Sequence, residues 1–205
     1  MNTSPNPFLS LSHRALAVLV LYPAWVTGYM TIAHLTVHRT VGSVRSLVDS
    51  HLPFWSIAIV PYQLAYLQLV VCAALLPKRE DFSRLLYAFL WTSVLTFAIY
   101  LIAPTEAPAV YTPLPEHIFG RLVGLQYAMD SRVNCFPSFH CSLTTLGTLG
   151  TWHLSPRWRN GNIAFTLVVV ASTVLLKQHW LLCIPAGIGM SCFAWWLAGL
   201  HRRPI

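Results

Sequence analysis

Leu85–Ala103 reads LLYAFLWTSVLTFAIYLIA, a run of nineteen residues without one charged side chain, and Pro104 follows it directly. A hydrocarbon core of about 30 Å is crossed by about 20 residues of helix, so this run predicts a membrane span. Working outward, runs of the same character cover about 15–33, 54–76, 137–154, 162–176 and 181–200, with Pro61 inside the second and Pro185 near the start of the last. Internal prolines are tolerated in spanning helices, because neighbouring groups re-satisfy the freed backbone. The expectation is an all-α, polytopic integral membrane protein: a six-helix bundle forming a single transmembrane domain over 1–205.

Composition agrees with that expectation. Hydrophobic residues make up 56% of the 205 and charged residues 9%, where a soluble domain carries about 25% charged. A soluble globule of this size cannot hide so much apolar surface, and disorder is excluded by the same counts. The net charge is +7, but the basic residues are scattered singly between apolar runs. That pattern fits anionic headgroups and membrane topology better than a nucleic-acid partner. The run from Ala15 is long enough to span and lacks a small-residue cleavage site, so it reads as a retained first helix. Cysteines stand at 72, 135, 141, 183 and 192 with no CxxC pair. They read as buried thiols, with no metal site and no cofactor expected.

The connections are unequal. The longest, 104–136, contains Pro104, Pro108, Pro113 and Pro115 and has room for a short interfacial helix around Ile118–Met129. With six spans, one side carries Arg14, Lys78, Arg79, Arg84, Arg157, Arg159, Arg202 and Arg203, and the other carries Arg39, Arg45, Arg121, Arg132 and Lys177. The excess of basic residues marks the cytoplasmic side. Both termini are therefore expected in the cytoplasm, with the long loop and the Lys177–His179 turn on the outer face.

Two segments on that outer face carry chemistry. In NCFPSFH, residues 134–140, Pro137 suits the first turn of a helix, and the free N–H groups there can hold an anion. Ser138 adds a hydroxyl, and His140 can exchange a proton near neutral pH. In STVLLKQHWLLC, residues 172–183, Lys177 supplies a cation and His179 a nucleophilic imidazole. Cys183 is four residues on, so a helix would place it beside His179. Pro185 would release the carbonyl of Leu181 from its helical partner. Hydroxyls, a cation and two imidazoles suit phosphoryl transfer: His179 attacks phosphorus, His140 protonates the leaving oxygen, and Lys177, Ser138 and helix N–H groups hold the oxyanion.

These segments resemble the type-2 phosphatidic acid phosphatase superfamily. That group contains six-span lipid phosphate phosphatases, undecaprenyl diphosphate phosphatases and lipid phosphotransferases related to inositol phosphorylceramide synthase. NCFPSFHCS is similar to the family's second motif, Pro-Ser-x-His. STVLLKQHWLLCIPAG is similar to the third, in the phosphotransferase-like form with Lys two before the histidine, and APTEAPAVYTP resembles the proline-rich approach to the first. The resemblance implies His179 as nucleophile, His140 as proton-transfer residue, and no metal. It also implies a lipid phosphate or lipid diphosphate substrate, and places the chain in a bacterial-type inner membrane or a plasma membrane.

The chain departs from the pattern at the charged positions. Ala109 stands where the first motif has arginine after Pro108, and Thr173 stands where arginine often follows the third-motif serine, Ser172. Cys183 stands where the family has the Asp that orients the nucleophilic histidine. Lys177 and Arg132, with Ser138, Ser172 and Thr173, are left to bind phosphate, and Asp130, Glu116 and Glu106 are the carboxylates that could fold over from the long loop. Three readings follow: hydrolysis of a lipid phosphate, headgroup transfer to an alcohol acceptor, and an impaired lipid-binding, transport or scaffold protein of the same fold.

Overall fold

The structure, a computed structural model, describes residues 10–130 and 132–200. Arg202 and Arg203, which enter the charge count above, lie outside them. Among the described residues seven α-helices follow one another: α1 Leu11–Thr36, α2 Ile59–Leu75, α3 Arg79–Ile102, α4 Ile118–Met129, α5 Phe139–Thr151, α6 Pro156–Leu175 and α7 Cys183–Leu200. Short 3-10 turns, Leu47–His51 and Ser56–Ala58, precede α2. Helix starts carry local signals. Ser155 accepts from the Trp158 amide with Pro156 in the first turn of α6, and Glu80 and Asp81 sit at the positive end of the α3 dipole.

Among the described residues, four stretches are long and apolar enough to cross a membrane: Ser12–Thr36, Ser56–Leu75, Arg79–Ile102 and Cys183–Leu200. The predicted fourth and fifth spans take another form. The thirteen residues of α5 extend about 20 Å, short of a bilayer core, and twelve of them are buried. It is the central helix, packed against α2, α3, α6 and α7. The fifth, α6, begins six residues before the expected span, with Arg157, Arg159 and Asn160 in its first turns.

Small and hydroxylic residues bring α5 and α7 close, as is usual where lipid gives helices no hydrophobic reason to associate. A Cβ on Gly187 would stand 2.4 Å from the Ser138 carbonyl oxygen, so glycine is required at that crossing. The Ser142 hydroxyl donates to the Gly187 carbonyl at 2.9 Å, and the Ser191 hydroxyl donates to the Ser142 carbonyl at 2.8 Å. The amide of Ser138 donates to the Cys183 carbonyl at 3.1 Å. The beginnings of α5 and α7 are thereby stapled together, and both face the same end of the bundle as α4.

Candidate active site

Three extended segments from distant parts of the chain meet at that end, with Gly42, Thr105 and Asn134 joined as parallel bridges. The Cys135 amide donates to the Thr105 carbonyl at 3.1 Å, and the Trp180 indole donates to the Glu106 carbonyl at 2.8 Å. The approach to α5 and the approach to α7 thus hang from one piece of backbone.

The turn between α6 and α7 is tied down almost residue by residue. Lys177 has φ 55°, in the left-handed region, and Arg132 has φ 61°. Such conformations cost a non-glycine residue about 1–3 kcal/mol and persist where surrounding bonds over-determine them. Here the amides of Gln178 and His179 both donate to the Thr173 carbonyl. The Tyr127 hydroxyl donates to the Leu176 carbonyl at 2.7 Å, and an Arg132 guanidinium nitrogen donates to the Lys177 carbonyl at 3.1 Å. The Leu181 amide donates to the Asp49 carboxylate at 2.8 Å. That carboxylate also accepts from the Ser46 amide and hydroxyl. Burial alone would raise the Asp49 pKa, but the Ser46 and Leu181 hydrogen bonds and the nearby Lys177 charge hold it below the usual carboxylate value.

This turn presents His179. Its Nδ1 lies 2.8 Å from the main-chain carbonyl oxygen of Cys135. A carbonyl only accepts, so Nδ1 carries the proton and Nε2 is left with the lone pair. The Cys135 Sγ stands 3.7 Å from the same Nδ1 and 3.6 Å from the Cys183 Sγ. The Cys183 thiol, the His179 ring and the Trp180 main chain hold the Cys135 thiol below the usual thiol range despite burial. Burial pulls the His179 imidazole down, but the Cys135 hydrogen bonds and charge, together with Asp130, carry it above the usual imidazole value.

His140 faces His179, with ring centroids 6.1 Å apart. It stacks on Tyr62 at 3.7 Å and meets Tyr66 edge-on at 4.8 Å. Both imidazoles open onto a cavity of about 210 Å³. Its aromatic wall comes from Tyr22, Trp25 and Tyr29 on α1, Tyr62 and Tyr66 on α2, Tyr100 on α3 and Phe139 on α5. Its polar side is Asp130, Arg132, Asn134, Gln178 and the two histidines, with Gln63 and Gln126 hydrogen-bonded to each other. Buried polar atoms on this wall lack a protein partner: Arg132 Nη1, Asn134 Oδ1, His140 Nε2 and both ends of the Gln178 amide. Leaving such groups unmet costs about 1–3 kcal/mol each, so the cavity suits a polar, hydrogen-bonding occupant.

Of the residues singled out from the sequence, His140, His179 and Arg132 line the cavity. The Arg132 guanidinium stacks over Tyr127 and donates to Pro108 as well as to Lys177. Cys183 lies behind His179, against Cys135. Ser138 caps α5, accepting from the Cys141 amide. The Ser172 and Thr173 hydroxyls donate to carbonyls of their own helix, and the Lys177 ammonium donates to the Leu52 carbonyl at 2.5 Å. None of these four lines the cavity.

Three local expectations are corrected. Pro137 precedes the Ser138 cap instead of occupying the first turn, so His140 is the second residue of α5. His179 and Cys183 do not share a helix face, because the left-handed Lys177 ends α6 and α7 begins at Cys183. The Leu181 carbonyl is not released, since it accepts from the Ile184 amide. Of the loop carboxylates, Asp130 reaches the cavity, where it accepts from the Tyr29 hydroxyl and the Arg132 amide. Cys135, Asp49, Asn134 and Gln178 are additional site residues that the sequence reading passed over. Gln178, beside His179, and Asn134 and Cys135, within the 134–140 segment, had a positional hint, and Asp49 had none.

A family model described as the PAP2 superfamily matches residues 34–197. No curated protein and no solved structure matches the chain. The match takes in both histidine segments, the aromatic wall from α2 and α3, and the long loop. The chain belongs to the PAP2 (type-2 phosphatidic acid phosphatase) superfamily.

Proposed function

We propose that the protein hydrolyses a lipid phosphomonoester or diphosphate through a phosphohistidine on His179, at the outer face of the membrane. The observation that carries this reading is the pair of imidazoles 6.1 Å apart on one polar cavity, with the Nδ1 proton of His179 engaged by the Cys135 carbonyl. The Nε2 lone pair attacks phosphorus as the bond to the leaving oxygen breaks. Protonated His140 gives that oxygen its proton. Neutral His140 then takes a proton from water, the water oxygen attacks phosphorus, and the P–N bond breaks to release phosphate. Arg132 and the Gln178 amide nitrogen hold the phosphoryl oxygens, while the lipid tail stays in the bilayer.

Headgroup transfer to an alcohol is the second reading. Asp130 and Arg132 are the acidic and the basic side chain on the cavity wall among the described residues. One cation beside one carboxylate suits a singly charged phosphodiester better than a phosphomonoester dianion.

Purified protein in detergent should release phosphate from a lipid phosphate, and an alcohol acceptor should divert it only if the second reading holds. An alkaline quench should trap an acid-labile phosphoenzyme that His179→Ala abolishes. His140→Ala and His179→Ala should each lower turnover at least a thousandfold. Activity that survives both substitutions contradicts either reading.

A further inference from the structure

We infer that Cys135, Cys183 and His179 form a binding site for a soft divalent cation of the zinc type, and that occupation of this site switches the reaction centre off. The second half rests on the function proposed above, and the first half does not.

The three ligand atoms lie within 4.8 Å of one another. A tetrahedral zinc with Zn–S of about 2.3 Å and Zn–N of about 2.0–2.1 Å separates two sulfurs by about 3.8 Å and a sulfur from a nitrogen by about 3.6 Å. The observed separations are 3.6 Å for Sγ to Sγ and 3.7 Å for Cys135 Sγ to His179 Nδ1. Two thiols and an imidazole select zinc-like ions over magnesium or calcium, which take oxygen ligands.

The two cysteines are fixed before any ion arrives, while the His179 ring has to turn its Nδ1 from the Cys135 carbonyl to the ion. Cys135 is held by Thr105, the Cys183 carbonyl by the Ser138 amide, and the Cys183 amide by the Trp180 carbonyl. Cys135 and His179 line the cavity, which gives an ion its route in and leaves a fourth position for water or a phosphate oxygen. Nothing in the spacing of 135, 179 and 183 announces a metal motif.

The switch follows from the imidazole's single proton. A neutral imidazole has one lone pair. A cation on Nδ1 takes it, and the proton now on Nδ1 moves to Nε2. Two thiol protons leave to solvent as the two metal–sulfur bonds form. The hydrogen bond to the Cys135 carbonyl is lost, and Nε2 has no lone pair left with which to attack phosphorus.

The test uses the purified, reduced full chain in detergent, titrated with cobalt(II) and then zinc(II). One cobalt per chain should bind with a thiolate-to-cobalt charge-transfer band, and zinc should displace it. Cys135→Ser and Cys183→Ser, each checked for monodispersity, should weaken binding at least tenfold, whereas Cys192→Ser, at an exposed thiol, should bind as the native chain does. Zinc should lower lipid-phosphate turnover of the native chain at least tenfold and leave Cys183→Ser at its own metal-free rate. Absence of the charge-transfer band, or the same band in both Cys→Ser variants, overturns the site. Bound zinc with undiminished turnover overturns the switch. Bound zinc with no turnover by any form, metal-free included, upholds the site and overturns the proposed reaction.

Discussion

The Nδ1 of His179 hydrogen-bonds the main-chain carbonyl of Cys135 at 2.8 Å, although the two residues are 44 apart in sequence. The family places a carboxylate where this chain has Cys183, and a carbonyl cannot fully stand in for it. Both accept the Nδ1 proton and so select the tautomer with a free Nε2. Only the carboxylate adds a negative charge to steady the imidazolium. In the proposed reaction the protein therefore keeps the orientation of the attacking imidazole and gives up part of its charge support.

The thiol of Cys135 contributes separately from its carbonyl. Burial lowers the His179 pKa, and the Cys135 contacts raise it above the usual value. Attack needs unprotonated Nε2, so the rate should rise with pH through that raised pKa. Cys135→Ala keeps the carbonyl and removes the thiol, so the acid limb of the kcat/KM profile should move to lower pH. A limb that stays in place, or moves to higher pH, speaks against this electrostatic account.

Arg132 joins the polar side of the cavity to the His179 turn. Its guanidinium donates to the Lys177 and Pro108 carbonyls and stacks on Tyr127, leaving Nη1 for the cavity. Arg132→Lys keeps the charge but not the planar fork. It should cost about 10–100-fold in kcat/KM, corresponding to about 1.4–2.8 kcal/mol of transition-state stabilisation. Steady-state kinetics within threefold of the native chain would remove Arg132 from the site.

Asp49 is outside the cavity lining and holds the turn from behind. Asp49→Asn weakens three hydrogen bonds, including the one to the Leu181 amide, and should cost about 1–3 kcal/mol of stability. Because its folded pKa is lowered, the Asp49 contribution is present above the unfolded value of about 3.9 and is lost as pH falls through the lower folded value. Thermal unfolding should show the native-to-variant gap narrowing below about pH 4. A gap independent of pH would mean that the carboxylate does not anchor this turn.

Leu85–Ala103 announces a span by itself, and 118–129 announces its helix by apolar patterning, because each signal is local. The true length of α5 is less visible. Its apolar run continues past Thr151, and only packing against α2, α3, α6 and α7 shows that it is an interior helix. At the site, His140 and His179 stand out because their residue types carry chemistry at a recognisable spacing. The carbonyl of Cys135 has no sequence signature at all, since every residue carries one. The Lys177 ammonium suggested a phosphate ligand by its charge, but the left-handed backbone at that position directs it to Leu52.

With the Cys135 carbonyl orienting His179, Cys183 is left without the work of the family's aspartate. Turnover of a lipid phosphate by Cys183→Ala, measured beside the native chain under metal-free, reducing conditions, tests it most directly. The expected kcat/KM is within about threefold of the native value, a change below about 0.7 kcal/mol. A loss approaching 10⁴, the size seen when the orienting aspartate of a serine-protease triad is changed to asparagine, would contradict it and return the orienting role to position 183.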